Sequence, residues 1–184
     1  ERCELISAAV WGRSATTVPP KEQVGRFVPT DVTFDPQGSV IVTGHVTGQA
    51  IFGETSQGTP QSIRRLFLTK WDATGNLIWT YVGEGDRQTN ADSSGHAVAT
   101  DSKGNIYLTG EYKGPFTWNE ERLTPPETGG FLFKLSPEGK LLQGWPKWLP
   151  DSHNIDDLTV DQNDNVVVNG SFRGDWTLEG KKLA

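Results

Sequence analysis

The chain has 184 residues, a formal net charge of -6, 34% hydrophobic residues, 21 Gly, 11 Pro, 7 Trp, one Cys and no Met. With Gly counted, the apolar share reaches about 45%, a globular composition that excludes a disordered chain and is enough for one domain's core. The acidic balance gives no field that would draw a phosphate backbone or anionic lipid, which speaks against nucleic acid, and apolar runs such as Val166–Val168 fall far short of the roughly 20 residues that span a bilayer.

In chain order, residues 1–29 hold Cys3 and the stretch Leu5-Ile6-Ser7-Ala8-Ala9-Val10-Trp11-Gly12. A lone Cys3 makes no internal disulfide and lacks the partners of a zinc site, so it reads as an inert terminal thiol, with intermolecular pairing or lipidation as the alternatives. No charged-then-apolar leader precedes it; any signal peptide is expected to have been removed or never included, and secretion stays open. The stretch at 5–12 matches Leu77-Ile78-Trp79-Thr80-Tyr81-Val82-Gly83 and reads as the last strand of a preceding unit.

From residue 30 the chain repeats itself. Val32-Thr33-Phe34-Asp35-Pro36-Gln37-Gly38-Ser39-Val40-Ile41-Val42-Thr43-Gly44 recurs as Val98-Ala99-Thr100-Asp101-Ser102-Lys103-Gly104-Asn105-Ile106-Tyr107-Leu108-Thr109-Gly110. A third copy runs Leu158-Thr159-Val160-Asp161-Gln162-Asn163-Asp164-Asn165-Val166-Val167-Val168-Asn169-Gly170, and Asp35, Asp101 and Asp161 mark periods of 66 and 60 residues. A second element, Phe67-Leu68-Thr69-Lys70-Trp71 before Gly75-Asn76-Leu77, recurs as Phe131-Leu132-Phe133-Lys134-Leu135 before Gly139-Lys140-Leu141. The β-branched and aromatic runs have strand length and are bounded by Asp-x-x-Gly and Gly, so each copy reads as two hairpins. The Asp caps a tight turn and Gly supplies its positive φ; in the third copy Asp164-Asn165 takes that place. Strands are predicted at 31–35, 39–46, 65–71 and 76–82, then at 97–101, 105–112, 131–135 and 140–145.

Four-stranded units at this period, each too small to close a core alone, have the pattern of β-propeller blades. The run Val-x-x-Asp-x-x-Gly-Asn-x-Tyr-x-Thr-Gly-x-x-x-Gly at 98–114, followed by Phe-Leu-x-Lys-Leu-x-x-x-Gly-Lys-Leu at 131–141, resembles the bacterial SBBP-type β-propeller repeat. The resemblance covers about residues 30–183 and implies tandem blades in secreted or cell-surface proteins that act as scaffolds. Ser39 replaces the usual Asn, Asn169 replaces Thr, and the third turn lacks Gly. The expected fold is therefore all-β, a propeller of four-stranded antiparallel blades with fewer than three blades in this chain. Its divisions are 1–29 (last strand of a preceding blade plus linker), 30–95 (first repeat), 96–155 (second repeat) and 156–184 (first half of a third). Closed propellers carry about four to eight blades, so the reading expects open strand edges, covered by a longer parent chain or by other copies of this one.

Residues that could carry chemistry are few. His45, His96 and His153 lie ten after, five before and eight before the turn Asp, so they make no symmetric metal ring and read as solvated loop residues. Asp161-x-Asn163-x-Asn165 has the start of a calcium loop, but its twelfth position is Phe172, so it reads as a turn. Asn169-Gly170-Ser171 is a glycosylation sequon inside a predicted strand. Lys70 and Lys134 share one repeat position and read as blade-packing residues, with a charged channel or a carboxylate cap between blades as alternatives. The neighbours Glu120-Glu121 and Asp156-Asp157 would point to opposite faces of a strand and form no acid/base dyad. No nucleophile motif or phosphate loop is present, so no catalytic residue, cofactor or metal ligand is assigned.

Aromatic rings follow the Thr-Gly or Asn-Gly step at Gly48 with Phe52, Gly114 with Phe116 and Trp118, and Gly174 with Trp176, and read first as inter-blade packing. Tyr112, Trp118, Trp145 and Trp148 cluster in the second copy and are the candidate binding residues if exposed, with the loops at 53–64 and 83–96 as the variable surface. The functional expectation is a non-catalytic extracellular, cell-surface or periplasmic scaffold that binds a protein partner or other copies of itself. Two alternatives are a lectin-like module stacking these rings on glycans, and a propeller part of an enzyme whose catalytic residues lie elsewhere.

Overall fold

The computed structural model describes residues 25–52, 55–58, 63–85, 91–126, 128–150, 154–171, 176–178 and 181–183. The stretch at 5–12 lies outside them. The first repeat contains β1 (Arg26–Phe34), β2 (Val40–Thr47), β3 (Gln49–Phe52), β4 (Thr55–Gly58), β5 (Arg65–Trp71) and β6 (Leu77–Val82). The next strands are β7 (Glu84–Gly85), β8 (Asp92–Thr100), β9 (Ile106–Lys113), β10 (Phe116–Trp118), β11 (Glu121–Leu123), β12 (Thr128–Leu135) and β13 (Lys147–Pro150). The third copy supplies β14 (Asn154–Val160), β15 (Val166–Ser171), β16 (Trp176–Leu178) and β17 (Lys181–Leu183). Strands β1-β2-β5-β6 hydrogen-bond in that order as one antiparallel sheet, β8-β9-β12-β13 repeat it, and β14-β15 begin another. The fold is all-β, with two four-stranded antiparallel blades and part of a third. Among the described residues no helix is long and apolar enough to cross a membrane.

Three details differ from the sequence expectation, each for a local reason. The first strands start at Arg26 and Asp92, five residues before the predicted 31 and 97, because a bulge breaks the alternation that would have revealed their beginnings. The fourth strand predicted at 140–145 is β13 at 147–150 instead. Leu141 makes only an isolated bridge to Leu135, and a turn closed by Trp145 N–H on the Leu142 carbonyl (3.1 Å), with Gly144 at φ 83°, intervenes. Each copy also inserts a short hairpin after its second strand: β3–β4, β10–β11 and β16–β17. Strands of three or four residues are too short for periodicity to show.

The bulge recurs at one repeat position, between Pro29 and Asp31, Gly95 and Ala97, and Ile155 and Asp157. Opposite it stands the Gly of each Thr-Gly or Asn-Gly step, in the pairs Pro29–Gly44, Gly95–Gly110 and Ile155–Gly170. A Cβ on Gly110 would lie 2.0 Å from the Ser94 carbonyl oxygen, so the bulged backbone fits only against Gly. The bulged residue turns its side chain to the next blade: Thr30 Oγ1 donates to the Gly95 carbonyl (2.9 Å), and His96 Nδ1 lies 3.4 Å from the Ile155 carbonyl. Thr109 bridges in the same direction, with Oγ1 3.0 Å from the Phe131 carbonyl in its own blade and 3.3 Å from Ile155 O in the next. Asp31 Oδ2 accepts the Val98 N–H across the first junction (2.8 Å).

Apolar packing follows the same junctions. Ile41, Leu66 and Leu68 of the first blade meet Val98, Leu108 and Phe133 of the second, and Ala97, Tyr107 and Leu132 meet Ile155 and Leu158 of the third. The inserted hairpin β10–β11 plugs the first of these layers: Phe116 and Trp118 are buried between the first two blades, with Trp118 5.8 Å from the Tyr81 ring. The repeated Gly-then-aromatic feature is inter-blade packing there.

The Asp-capped turns form as expected. Asp35 Oδ1 accepts from Gln37 N (3.0 Å) and Ser39 N (2.8 Å), and Asp101 and Asp161 do the same for Lys103 and Asn105, and for Asn163 and Asn165. Gly38 and Gly104 sit at φ 80° and 79°, and Asp164 takes φ 62° in the third copy. Lys70 and Lys134 face these carboxylates within their own blades, not between blades: Lys70 Nζ is 2.8 Å from Asp35 Oδ2 and Lys134 Nζ 3.9 Å from Asp101 Oδ2. Lys70 also donates to the Pro137 carbonyl of the second blade (3.2 Å), which is a blade-packing contact. Burial alone would raise the Asp35 pKa. The Lys70 ammonium and the Ser39 and Gln37 N–H groups outweigh it and hold the carboxyl below its ordinary value.

Gly110→Ala forces the bulge apart and is expected to cost about 3 kcal/mol in urea unfolding, while Gly38→Ala, which meets nothing within 4 Å and bears only the positive-φ cost, loses about 1 kcal/mol. Because the folded chain binds fewer protons at Asp35 than the unfolded chain, that stabilisation is complete above the unfolded carboxyl value of about 3.9 and is lost as pH falls through the depressed folded value. Asp35→Asn is therefore expected to lower the unfolding midpoint at pH 7 and to flatten its decline below about pH 4, read by urea titration across pH.

Candidate functional site

The two ends of the blades are built differently. One end holds the tight turns at 35–39, 72–76, 101–105, 136–140 and 161–165. The other end carries the longer connections between β2 and β5, β6 and β8, and β9 and β12. There the end of the 53–64 connection meets the start of β8. Ser93 N–H donates to the Arg64 carbonyl (3.1 Å), and Leu66 N–H donates to Ser93 Oγ (3.0 Å).

This stitching brings Arg64 between two carboxylates. Its Nη2 lies 2.8 Å from Asp92 Oδ1, its Nε donates to Asp92 Oδ2 (3.3 Å), and its Nη1 lies 2.7 Å from Glu111 Oε1. Burial disfavours the guanidinium charge, but Asp92 and Glu111 more than offset this and raise the Arg64 pKa. Beside it, His45 Nδ1 is 3.2 Å from Ser94 Oγ. Burial, and then the positive charge of Arg64, push His45 below its ordinary pKa, with Asp92 and Glu111 opposing and Arg26 adding to the shift. Ile63, Arg64, Asp92, Glu111, Tyr112, Lys113 and Thr128 line an open cavity of about 460 Å³ at this end. The Ser94 hydroxyl is buried, so the His45–Ser94 contact offers no open nucleophile.

The cluster uses positions at which the copies disagree. Asp92 stands where the first copy has Arg26, Glu111 where the others have His45 and Ser171, and Arg64 where the second copy has Thr128. The turn Asp, the strand Lys and the bulge-facing Gly recur because the blade needs them; these charges do not. Sequence reading named the flanking loops but missed Arg64, Asp92 and Glu111, and comparison of the copies position by position at strand ends was the signal that could have found them.

The four aromatic candidates do not form one exposed platform. Tyr112 and Trp118 are 2% and 1% exposed, in the layer between the first two blades, with the Tyr112 hydroxyl donating to the Pro126 carbonyl (2.9 Å). Trp148 packs half-buried on the same layer, 5.0 Å from the Tyr112 ring. Trp145 lies on the opposite face of the blade, against Tyr107 (6.4 Å), with the Lys147 ammonium 5.3 Å above its ring. Alternation along and around β13 separates what sequence proximity suggested. His45 and His96 lie in β2 and β8, not in solvated loops; His153 lies outside the described residues. Glu120 shares with Asn119 the positive-φ turn of the β10–β11 hairpin, and Asp161 is committed to its turn.

Comparison with known proteins adds two findings. Residues 78–116 match the family model described as SBBP, a β-propeller repeat. The chain is also 28% identical over 164 residues to an uncharacterized WD repeat-containing protein of Acanthamoeba polyphaga mimivirus, covering 77% of this chain and 11% of that protein. The chain thus spans about a tenth of the length of this relative.

The charge cluster is expected to contribute little to folding. In a double-mutant cycle of Arg64→Ala with Glu111→Ala, the coupling in urea unfolding is expected to stay below about 1 kcal/mol, since both side chains are about two-fifths exposed. With His45 favoured neutral, the unfolded chain binds its proton more readily, so stability is expected to fall as pH drops below about 6.5. His45→Gln should remove that decline, and an NMR titration should place the ring's midpoint below the ordinary histidine value.

Proposed function

We propose that the chain is a non-catalytic propeller scaffold at the cell exterior that binds a protein partner through its long-connection end, at the junction of the first two blades. One observation carries this reading: the Asp92–Arg64–Glu111 cluster is held in fixed geometry by charges that the blade itself does not require. Preorganised charges beside an open cavity orient a protein partner and exclude wrongly charged ones. The β-propeller repeat match and the WD-repeat relative support a binding scaffold. The resemblance to repeats of secreted and cell-surface proteins supports the exterior location. The buried Ser94 hydroxyl, and the engagement of Arg64 with both carboxylates, support binding over turnover.

The test places a photo-crosslinking amino acid at Lys113, on the long-connection end, or at Lys140, on the tight-turn end, and exposes the folded chain to the extracellular protein fraction of its source. Discrete adducts at Lys113 that vanish in the Arg64→Ala, Glu111→Lys variant are the expected result. Equal adducts at both positions, or adducts indifferent to the charge changes, would overturn the proposal.

A further inference from the structure

Arg26 and His45 of the first blade recur, 66 residues on, as Asp92 and Glu111 of the second. The same two repeat positions thus carry a guanidinium and an imidazole in one blade and two carboxylates in the next. The junction of the blades gathers them at the long-connection end, where Arg64 lies on both carboxylates. His45 is half-buried there. Val28 and Leu66 stand opposite it within its own sheet, and across the junction its Nδ1 is 3.2 Å from Ser94 Oγ. The charged groups that face the ring are Arg26 from β1, Arg64 just before β5, Asp92 from β8 and Glu111 from β9. Of these side chains the imidazole alone ordinarily changes charge between about pH 5 and pH 8.

With the ring neutral, two cations face two carboxylates and the charges balance. A proton on the ring sets three cations against the same two carboxylates, and the added charge stands beside Arg64. Burial, and then Arg64, act against that charge. Ser94 accommodates the ring in both states. Its hydroxyl donates to an unprotonated Nδ1; when Nδ1 carries a proton, the same oxygen accepts it and the hydroxyl turns to the Gly95 carbonyl, 3.3 Å away.

We propose that His45 is a proton switch for the partner site: protonation of the ring loosens Arg64 from Asp92 and Glu111 and releases the protein partner in mildly acidic surroundings. The release rests on the reading of this junction as a partner site, whereas the loosening of Arg64 does not. A docked partner excludes water from the cavity that Arg64, Asp92 and Glu111 line, which makes a charged ring beside it costlier still. By linkage the bound state holds fewer protons than the free one, so affinity falls with pH.

The loosening is read without a partner, by nitrogen NMR of the Arg64 guanidinium in the folded chain. Its two ion pairs hinder rotation about Nε–Cζ, so Nη1 and Nη2 are expected to give separate signals at about pH 7.5 and to merge towards about pH 5.5 with the midpoint of the His45 ring. In His45→Gln, checked for folding by its melting curve, they are expected to stay separate. The release is read with the photo-crosslinking amino acid at Lys113 and the extracellular protein fraction as probe. Discrete adducts are expected to fall about threefold over the same pH range, and to hold their yield in His45→Gln. Arg64 signals that stay separate through the His45 titration, or that merge equally in His45→Gln, would overturn the switch and leave the partner site standing. Undiminished adducts at the lower pH would overturn the release. Absence of discrete adducts at both pH values would overturn the partner site and the release with it.

Discussion

Where β1 meets β8, and again where β8 meets β14, a bulged strand hands one side chain to a carbonyl of the next blade. Thr30 does this to Gly95 and His96 to Ile155, and the repeated Thr-Gly step lies opposite the bulge to make it possible. The glycine lets the two backbones approach; the threonine satisfies a buried carbonyl on its own third strand, and Thr109 reaches the next blade as well. Buried carbonyls left unpaired would each cost about 1–3 kcal/mol, so this polar seam decides where the apolar layers can close. Blades too small to hold a core alone therefore share one across a fixed junction, tied by hydrogen bonds donated from both sides of it.

The lysine and aspartate pair shows how much variation the same frame tolerates. In the first copy Ser39 has no side-chain amide to offer Asp35 Oδ2, and the buried Lys70 closes to 2.8 Å and also reaches the Pro137 carbonyl. In the second, Asn105 Nδ2 takes Asp101 Oδ2, and Lys134 stands back at 3.9 Å with its ammonium 4.8 Å from the Tyr107 ring centroid. A nearly buried ammonium cannot be left unpaired, whereas a quarter-exposed one is solvated and can lean on a ring. Two differences, Asn105 for Ser39 in the turn and Tyr107 for Ile41 opposite the lysine, thus accompany its shift from a close ion pair toward a cation–π contact, while the strand that carries it keeps its pairing.

Much of this was readable in the sequence because its cause is local. Asp35, Asp101 and Asp161 announce their turns through their own side-chain geometry, and Val40–Val42 or Ile106–Leu108 announce strands through shape. The starts of β1 and β8 were hidden because the bulge shifts alternation by one residue, and β13 was displaced because the turn after Leu142 has no counterpart in the first copy. The aromatic candidates misled for a related reason. Trp145 and Trp148 are near in sequence, yet they pack on opposite faces, because the side of the blade a ring takes depends on register, and register is set by pairing with strands far along the chain. Arg64, Asp92 and Glu111 carry no motif; only the folding together of two connections makes them neighbours.

That contrast is the reason the proposed binding surface is placed at one end of the blades. The tight-turn end is constrained copy by copy, since each Asp caps its own hairpin and, in the first two copies, faces the lysine of its own sheet. A change there disturbs the blade that contains it. At the other end the strands are already locked by the seam, and Arg26, Asp92, His45, Glu111 and Ser171 exchange size and charge at equivalent positions while the sheet beneath them stays the same. Differences that the fold neither needs nor punishes accumulate where they cost least, and the one place where three of them lock into a shared geometry is the cavity between the first two blades.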